Sequence, residues 1–168
     1  SCYTQSHLPV RKQLTAEGHA VRAGYLFSAM ADVAYETGDE ELLAACRALF
    51  DNIVGQRMYI TGGVGSTRTG EAFTKDFDLP NATAYAETCA AIALVLFAQR
   101  MLLLEVDGRY ADTVERVLYN GFLSGLSLDG RSFFYENPLE IDLDRRGRDR
   151  SLEGGEVLPI PQRVEVFD

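Results

Sequence analysis

The chain has 168 residues, room for a single domain at the usual size of roughly 100–200 residues. Its 16 Lys and Arg stand against 25 Asp and Glu, a net charge of −9 that repels phosphodiester backbones and argues against nucleic-acid partners. Apolar residues make up 46% and charged residues 24%, which excludes a disordered chain, and the longest apolar run, Cys89–Ala98, is about half of a bilayer span, so no membrane partner is expected.

Four helical stretches are predicted in two pairs. Gly18–Thr37 is apolar nearly all round (Ala20, Val21, Ala23, Tyr25, Leu26, Phe27, Ala29, Met30, Val33, Ala34), so it should be buried on most sides. Gly38 is its expected stop, and Asp39 the expected cap of a second helix, Glu40 to about Ile53, with Glu40 and Glu41 in its first turn. That second helix is one-sided: Leu42, Leu43, Cys46, Leu49, Phe50 and Ile53 form a stripe, with Glu40, Glu41, Arg47 and Asp51 off it.

The pattern then repeats. Thr88–Leu104 is again apolar on all sides, Asp107-Gly108 breaks it, and Arg109 to about Leu123 is again one-sided through Tyr110, Val114, Val117, Leu118 and Phe122. Alternation of fully apolar and one-sided helices predicts an inner and an outer layer, as in an α/α barrel or solenoid, rather than a four-helix bundle. The fold class is therefore all-α, with a β segment near the C-terminus: Arg131–Glu140 reads as a strand ended by Pro138, and the alternation over Arg163–Asp168 as another. Between these two, Asp142–Glu156 reads as a solvated linker of alternating charge.

Met58–Asn81 is a long Gly- and Thr-rich stretch between the two pairs, of a length that usually signals function. Its Thr61–Glu71 segment resembles a phosphate loop only superficially. Glu71 stands where that motif needs Lys, and a carboxylate repels phosphate, so nucleotide binding is rejected. What remains is a loop whose glycines let backbone pass close to something and which presents Glu71 at its end, ordinarily a solvated charge when alone.

Glu87-Thr88-Cys89 opens the third helix. With Thr88 as N-cap, Glu87 lies outside the helix and Cys89 in its first turn, where a carboxylate beside a thiolate makes half of a zinc site. The plainer alternative is a buried structural cysteine. His19, at the start of the first helix, and Tyr135, Glu136 and Glu115 are unremarkable singly. The three cysteines, Cys2, Cys46 and Cys89, are odd in number and widely spaced, a poor disulfide framework that points to a reducing compartment and a cytoplasmic location.

Taken together, YITGGVGSTRTGEAF (59–73), AYAETCA (84–90), ERVLYNGFLSGLSLDGRSFFYENPLE (115–140) and GHAVRAGYL (18–26) resemble glycoside hydrolase family 127, typified by bacterial β-L-arabinofuranosidases. The resemblance runs from about residue 9 to 168 and implies an (α/α)6 barrel. It also implies a retaining glycosidase that releases terminal β-L-arabinofuranose or a related sugar, with a zinc cofactor, a cysteine nucleophile and a carbohydrate substrate as partner. Carried over by position, Glu71 corresponds to the acid/base, Glu87 and Cys89 to two zinc ligands, and His19, Tyr135 and Glu115 to sugar-contacting residues.

The family's adjacent cysteine pair, in a Cys-Cys-Pro-Pro segment, has no counterpart here. Residues 1–168 are therefore expected to be a fragment of the catalytic domain, cut at both ends, too short for a closed barrel and inactive alone. Two other classes fit the same residues: a metal-independent α/α-barrel sugar epimerase using His and Glu, and a non-catalytic carbohydrate-binding protein. Sensitivity to chelators separates the first from a zinc hydrolase. For the second there is no turnover to lose, and Glu71→Gln leaves sugar binding intact.

Overall fold

The computed structural model describes residues 1–140 and the backbone of residues 163–165. Four α-helices carry the fold: α1 (Ala20–Thr37), α2 (Glu40–Asn52), α3 (Thr88–Leu104) and α4 (Gly108–Arg116). Helices α1 and α3 pack on each other as the inner pair, α2 lies on α1, and α4 on α3. The predicted double layer is thus present as part of an all-α barrel. Among the described residues, no helix is long and apolar enough to cross a membrane.

Local sequence sets the helix ends. Gly38 takes the left-handed conformation (φ 66°) and its N–H closes on the Ala34 carbonyl, while the Asp39 side chain accepts from Leu42 N at 2.9 Å. Asp107 likewise caps α4 by accepting from Arg109 N at 2.9 Å. Helix α2 ends at Asn52, within a residue of the expected Ile53, whereas α4 ends at Arg116, well short of the expected Leu123. Both α2 and α4 widen at their C-terminal ends into π-helical turns, Ile53–Arg57 and Val117–Phe122. An apolar stripe continues through such a turn, so it was invisible to pattern reading.

A chain of aromatic rings joins the two hairpins. Phe97 of α3 touches Phe27 of α1 (centroids 5.6 Å apart) and Phe50 of α2 (6.1 Å), and Phe50 meets Tyr110 of α4 edge-on at 4.6 Å. All four rings are buried. At the inner interface Gly24 faces Ala93 so closely that a Cβ on Gly24 would stand 2.7 Å from that of Ala93. The expectation that α1 and α3 are buried on most sides holds only in part. Tyr25, Val33 and Tyr35 of α1 and Leu103 of α3 are exposed, because α1 has one inner neighbour among these residues and a closed barrel would give it two.

The glycines of the long loop do bring backbone close to something, and it is the chain itself. Gly62 (φ 89°) lies so near α4's π turn that a Cβ there would meet Val117 Cα at 2.8 Å. The predicted strand over 131–140 shrinks to β1 (Ser132–Phe134), antiparallel to β2 (Arg163–Glu165) with Phe133 opposite Val164. Past β1 the chain leaves that pairing and runs instead against residues 85–88, through Thr88 N to Tyr135 O (3.0 Å), Asn137 N to Tyr85 O (3.1 Å) and a bridge between Glu87 and Glu136. The predicted 142–156 linker and the last three residues of the predicted C-terminal strand lie outside the described residues.

Candidate active site

The site lies where the loop, the start of α1 and the start of α3 meet. Residues 67–72 form a small hairpin, with Ala72 N donating to Thr67 O at 3.0 Å, and Phe73 N then donates to Gly18 O at 2.9 Å. This ladder sets Ala72 opposite His19, the N-cap of α1. The approach to α1 is itself anchored by buried Arg57, which bonds the Ala16 carbonyl, Glu17 and the loop's Asp76. The Arg57 guanidinium, with Asn52 behind it, holds the Asp76 carboxyl below its ordinary range.

His19 Nδ1 accepts from Arg22 N at 3.3 Å, so a neutral ring carries its proton on Nε2. That nitrogen lies 2.9 Å from Glu71 Oε2. The other carboxylate oxygen, Oε1, accepts from the Tyr85 hydroxyl at 3.0 Å. Glu71 closes a short 3₁₀ turn (Thr69–Glu71) with φ 49°, a left-handed conformation that is costly for a residue with a Cβ. Ala86, just before Glu87, has φ 40°. Backbone strain thus falls on both sides of the same site.

Glu87 is the N-cap residue of α3, one position earlier than Thr88, the N-cap expected from the sequence. Its extended conformation keeps it out of the helix, as the half-site reading requires, and Cys89 lies in the first turn. Glu87 is 1% exposed, and neither carboxylate oxygen meets hydrogen-bond geometry with any group. A lone buried carboxylate is expensive, and burial accordingly raises its pKa, although the nearby Tyr135 hydroxyl and Cys89 thiol act to lower it. Burial, and then the Glu87 charge, push the Cys89 thiol up to about 12. The hydroxyls of Tyr85 and Tyr135 are raised by burial as well, so both remain donors at neutral pH.

The ligand atoms of His19, Glu71 and Glu87 all lie within 4.8 Å of one another. His19 and Glu71 already satisfy each other, which leaves Glu87 as the acid without a hydrogen-bond partner. A carboxylate and a thiol beside it are both zinc-type donors. The site residues therefore fit the zinc half-site reading: an orphaned buried carboxylate with an adjacent sulfur. Cys46 is buried in α2, where burial pushes its thiol up to about 12, and Cys2 is exposed; all three thiols are free.

Five of the six residues singled out in the sequence, His19, Glu71, Glu87, Cys89 and Tyr135, thus fall in one place. Glu115 does not join them. It is exposed near the end of α4 and shares no hydrogen bond or ion pair with the cluster. Sequence reading missed Tyr85 and gave Arg68 and Glu136 no role. Tyr85 lies two residues before Glu87, but the left-handed Ala86 between them breaks strand alternation, so spacing alone gave no signal for it. The Arg68–Glu136 pair spans 68 positions and had none.

The family model of the β-L-arabinofuranosidase GH127 catalytic domain matches residues 1–155. A non-reducing end β-L-arabinofuranosidase of Bifidobacterium longum subsp. longum is 51% identical over 142 residues, covering 84% of this chain and 22% of the relative. A crystal structure of a GH127 β-L-arabinofuranosidase from Geobacillus stearothermophilus T6 superposes with a TM-score of 0.85 at 59% identity, over 88% of this chain and 23% of that one. A further GH127 β-arabinofuranosidase structure gives 0.81 at 54% identity, over 83% and 22%. The chain spans about a fifth of the length of the curated relative it matches. Model match, identity and superposition agree, and the chain belongs to the GH127 β-L-arabinofuranosidase catalytic-domain family.

Proposed function

We propose that this chain supplies the acid/base and half of the metal site of a retaining glycosidase that releases terminal β-L-arabinofuranose from carbohydrate substrates. The observation that carries the reading is the Glu71 carboxylate, fixed between His19 and Tyr85 and facing the buried, unpartnered Glu87 with Cys89 beside it. The names of the GH127 relatives supply the sugar.

Glu71 protonates the departing glycosidic oxygen as the bond to the anomeric carbon breaks, a contribution of roughly 10²–10⁴ in rate. In the second half of the reaction it takes a proton from the attacking water, as microscopic reversibility demands of a retaining enzyme. His19 and Tyr85 keep both carboxylate oxygens oriented through the cycle. Tyr135, 39% exposed beside Glu87, offers a hydroxyl and a ring edge to the sugar. Glu87 and Cys89 would hold zinc, whose charge keeps cysteine sulfur deprotonated near neutral pH. The nucleophilic cysteine implied by the family resemblance has no counterpart among these 168 residues, which contain no adjacent cysteines, and we expect them to be inactive alone.

The test uses the full-length protein that carries this chain. Incubated with a β-L-arabinofuranoside, it should release L-arabinose whose first-formed anomer is β, contain stoichiometric zinc, and lose turnover to a chelator. An epimerised sugar, or full turnover of the metal-free enzyme, would overturn the reading. Neither the epimerase nor the non-catalytic alternative draws support from the relatives, whose names describe glycosidases.

A further inference from the structure

The sequence offered no role for Tyr85, Arg68 or Glu136, yet the three form a continuous chain of contacts ending on Glu71. The Tyr85 hydroxyl donates to Glu71 Oε1 at 3.0 Å, and its ring is 7% exposed. The Arg68 guanidinium lies over that ring, 5.8 Å from its centroid, and the Tyr135 ring approaches it edge-on at 6.3 Å. Arg68 is held in turn by an ion pair with buried Glu136. Tyr85 is therefore constrained at its hydroxyl and by neighbouring groups at its ring.

Arg68 and Glu71 sit in the same 67–72 hairpin, so one short loop carries both the acid and the arm that clamps the acid's partner. Glu136 adjoins Tyr135 in the segment bonded to residues 85–88. The Arg68–Glu136 pair thus ties the acid-bearing loop to the strand-like floor that carries Glu87. Without it, the Glu71 carboxylate would be held by His19, by a less constrained Tyr85 and by the short backbone ladder.

We propose that Tyr85 is a positioning residue for the Glu71 carboxylate, locked in place by the Arg68–Glu136 ion pair. The proposal rests on the reading of Glu71 as acid/base. An acid displaced by a fraction of an ångström protonates a poor leaving group badly, whereas a good leaving group departs unaided.

The test compares kcat/KM, which reports the bond-breaking half-reaction, for an alkyl and a p-nitrophenyl β-L-arabinofuranoside in the full-length enzyme. Tyr85→Phe should lower kcat/KM on the alkyl glycoside about 10–100-fold and change it by less than about threefold on the p-nitrophenyl glycoside, where the proton matters little. Arg68→Gln, which keeps a hydrogen-bond donor for Glu136, should show the same selectivity at a smaller amplitude. Glu71→Gln serves as the reference and should show the largest selectivity of the three. If Glu71→Gln affects both substrates equally, the acid assignment itself fails. If Glu71→Gln is selective but Tyr85→Phe slows both substrates alike or neither, the acid stands and the positioning role of Tyr85 is overturned.

Discussion

The helical core and the site at its edge are built on opposite rules. In the core, Phe27, Phe50, Phe97 and Tyr110 interlock, and the one polar group among them is paired, the Tyr110 hydroxyl donating to Glu105 at 2.9 Å. At the site a fully buried carboxylate has no hydrogen-bond partner, and two residues with side chains, Glu71 and Ala86, hold left-handed backbone. Packing that is complete in one region supports strain and an unpartnered buried acid in the other. The contrast teaches where stability and where chemistry reside, and substitutions in the two regions should separate them.

The largest effect belongs to the site. Glu71→Gln should lower kcat on an unactivated glycoside by roughly 10²–10⁴ while leaving the melting temperature nearly unchanged, as steady-state kinetics and calorimetry on the same full-length preparation would show. A collapse of stability instead would make Glu71 a structural residue and erase the contrast. Phe97→Ala should do the reverse. It removes the ring that joins both hairpins, at a cost of about 3–5 kcal/mol of stability, measurable by denaturant titration, with kcat per folded molecule retained.

Gly24→Val probes the inner pair at its closest approach. Its branched side chain has no room beside Ala93, and overpacking of this kind costs about 1–3 kcal/mol. Stability unchanged on denaturant titration would mean that α1 and α3 leave room for a branched side chain at Gly24. The smallest effect lies at the surface, where Arg47 of α2 grips Glu105 at the end of α3. Arg47, and then the Tyr110 hydroxyl, hold the Glu105 carboxyl below its ordinary value of 4.5. A lowered carboxylate pKa adds stability that is present above the ordinary value and lost as pH falls through the lowered one. Glu105→Gln should therefore cost less than about 1 kcal/mol at neutral pH and nothing in strong acid, checked by melting curves across that window.

The sequence made the helices legible because their ends carry chemistry: Gly38, Asp39 and Asp107 act as their residue types predict, and α3 spans Thr88–Leu104 as read. The π turns were hidden, since Val117 and Phe122 satisfy an α-helical stripe and a π turn equally well. Glu71 and the Glu87/Cys89 pair were visible as candidates but acquired context only through the family resemblance, because a loop acid has no periodicity to mark it. Their meeting depends on pairings between distant segments, such as Phe73 with Gly18 and Thr88 with Tyr135, that no local pattern encodes. The Arg68–Glu136 pair is of the same kind.

The zinc ion that we propose Glu87 and Cys89 hold can be observed spectroscopically. Zinc K-edge X-ray absorption on the full-length protein, wild type beside Cys89→Ala, tests that proposal most directly. The expected spectrum shows zinc bound through sulfur at about 2.3 Å together with an oxygen ligand at about 2.0–2.2 Å, and one sulfur fewer in the variant. A wild-type protein without zinc, or a sulfur count that Cys89→Ala leaves unchanged, would contradict it.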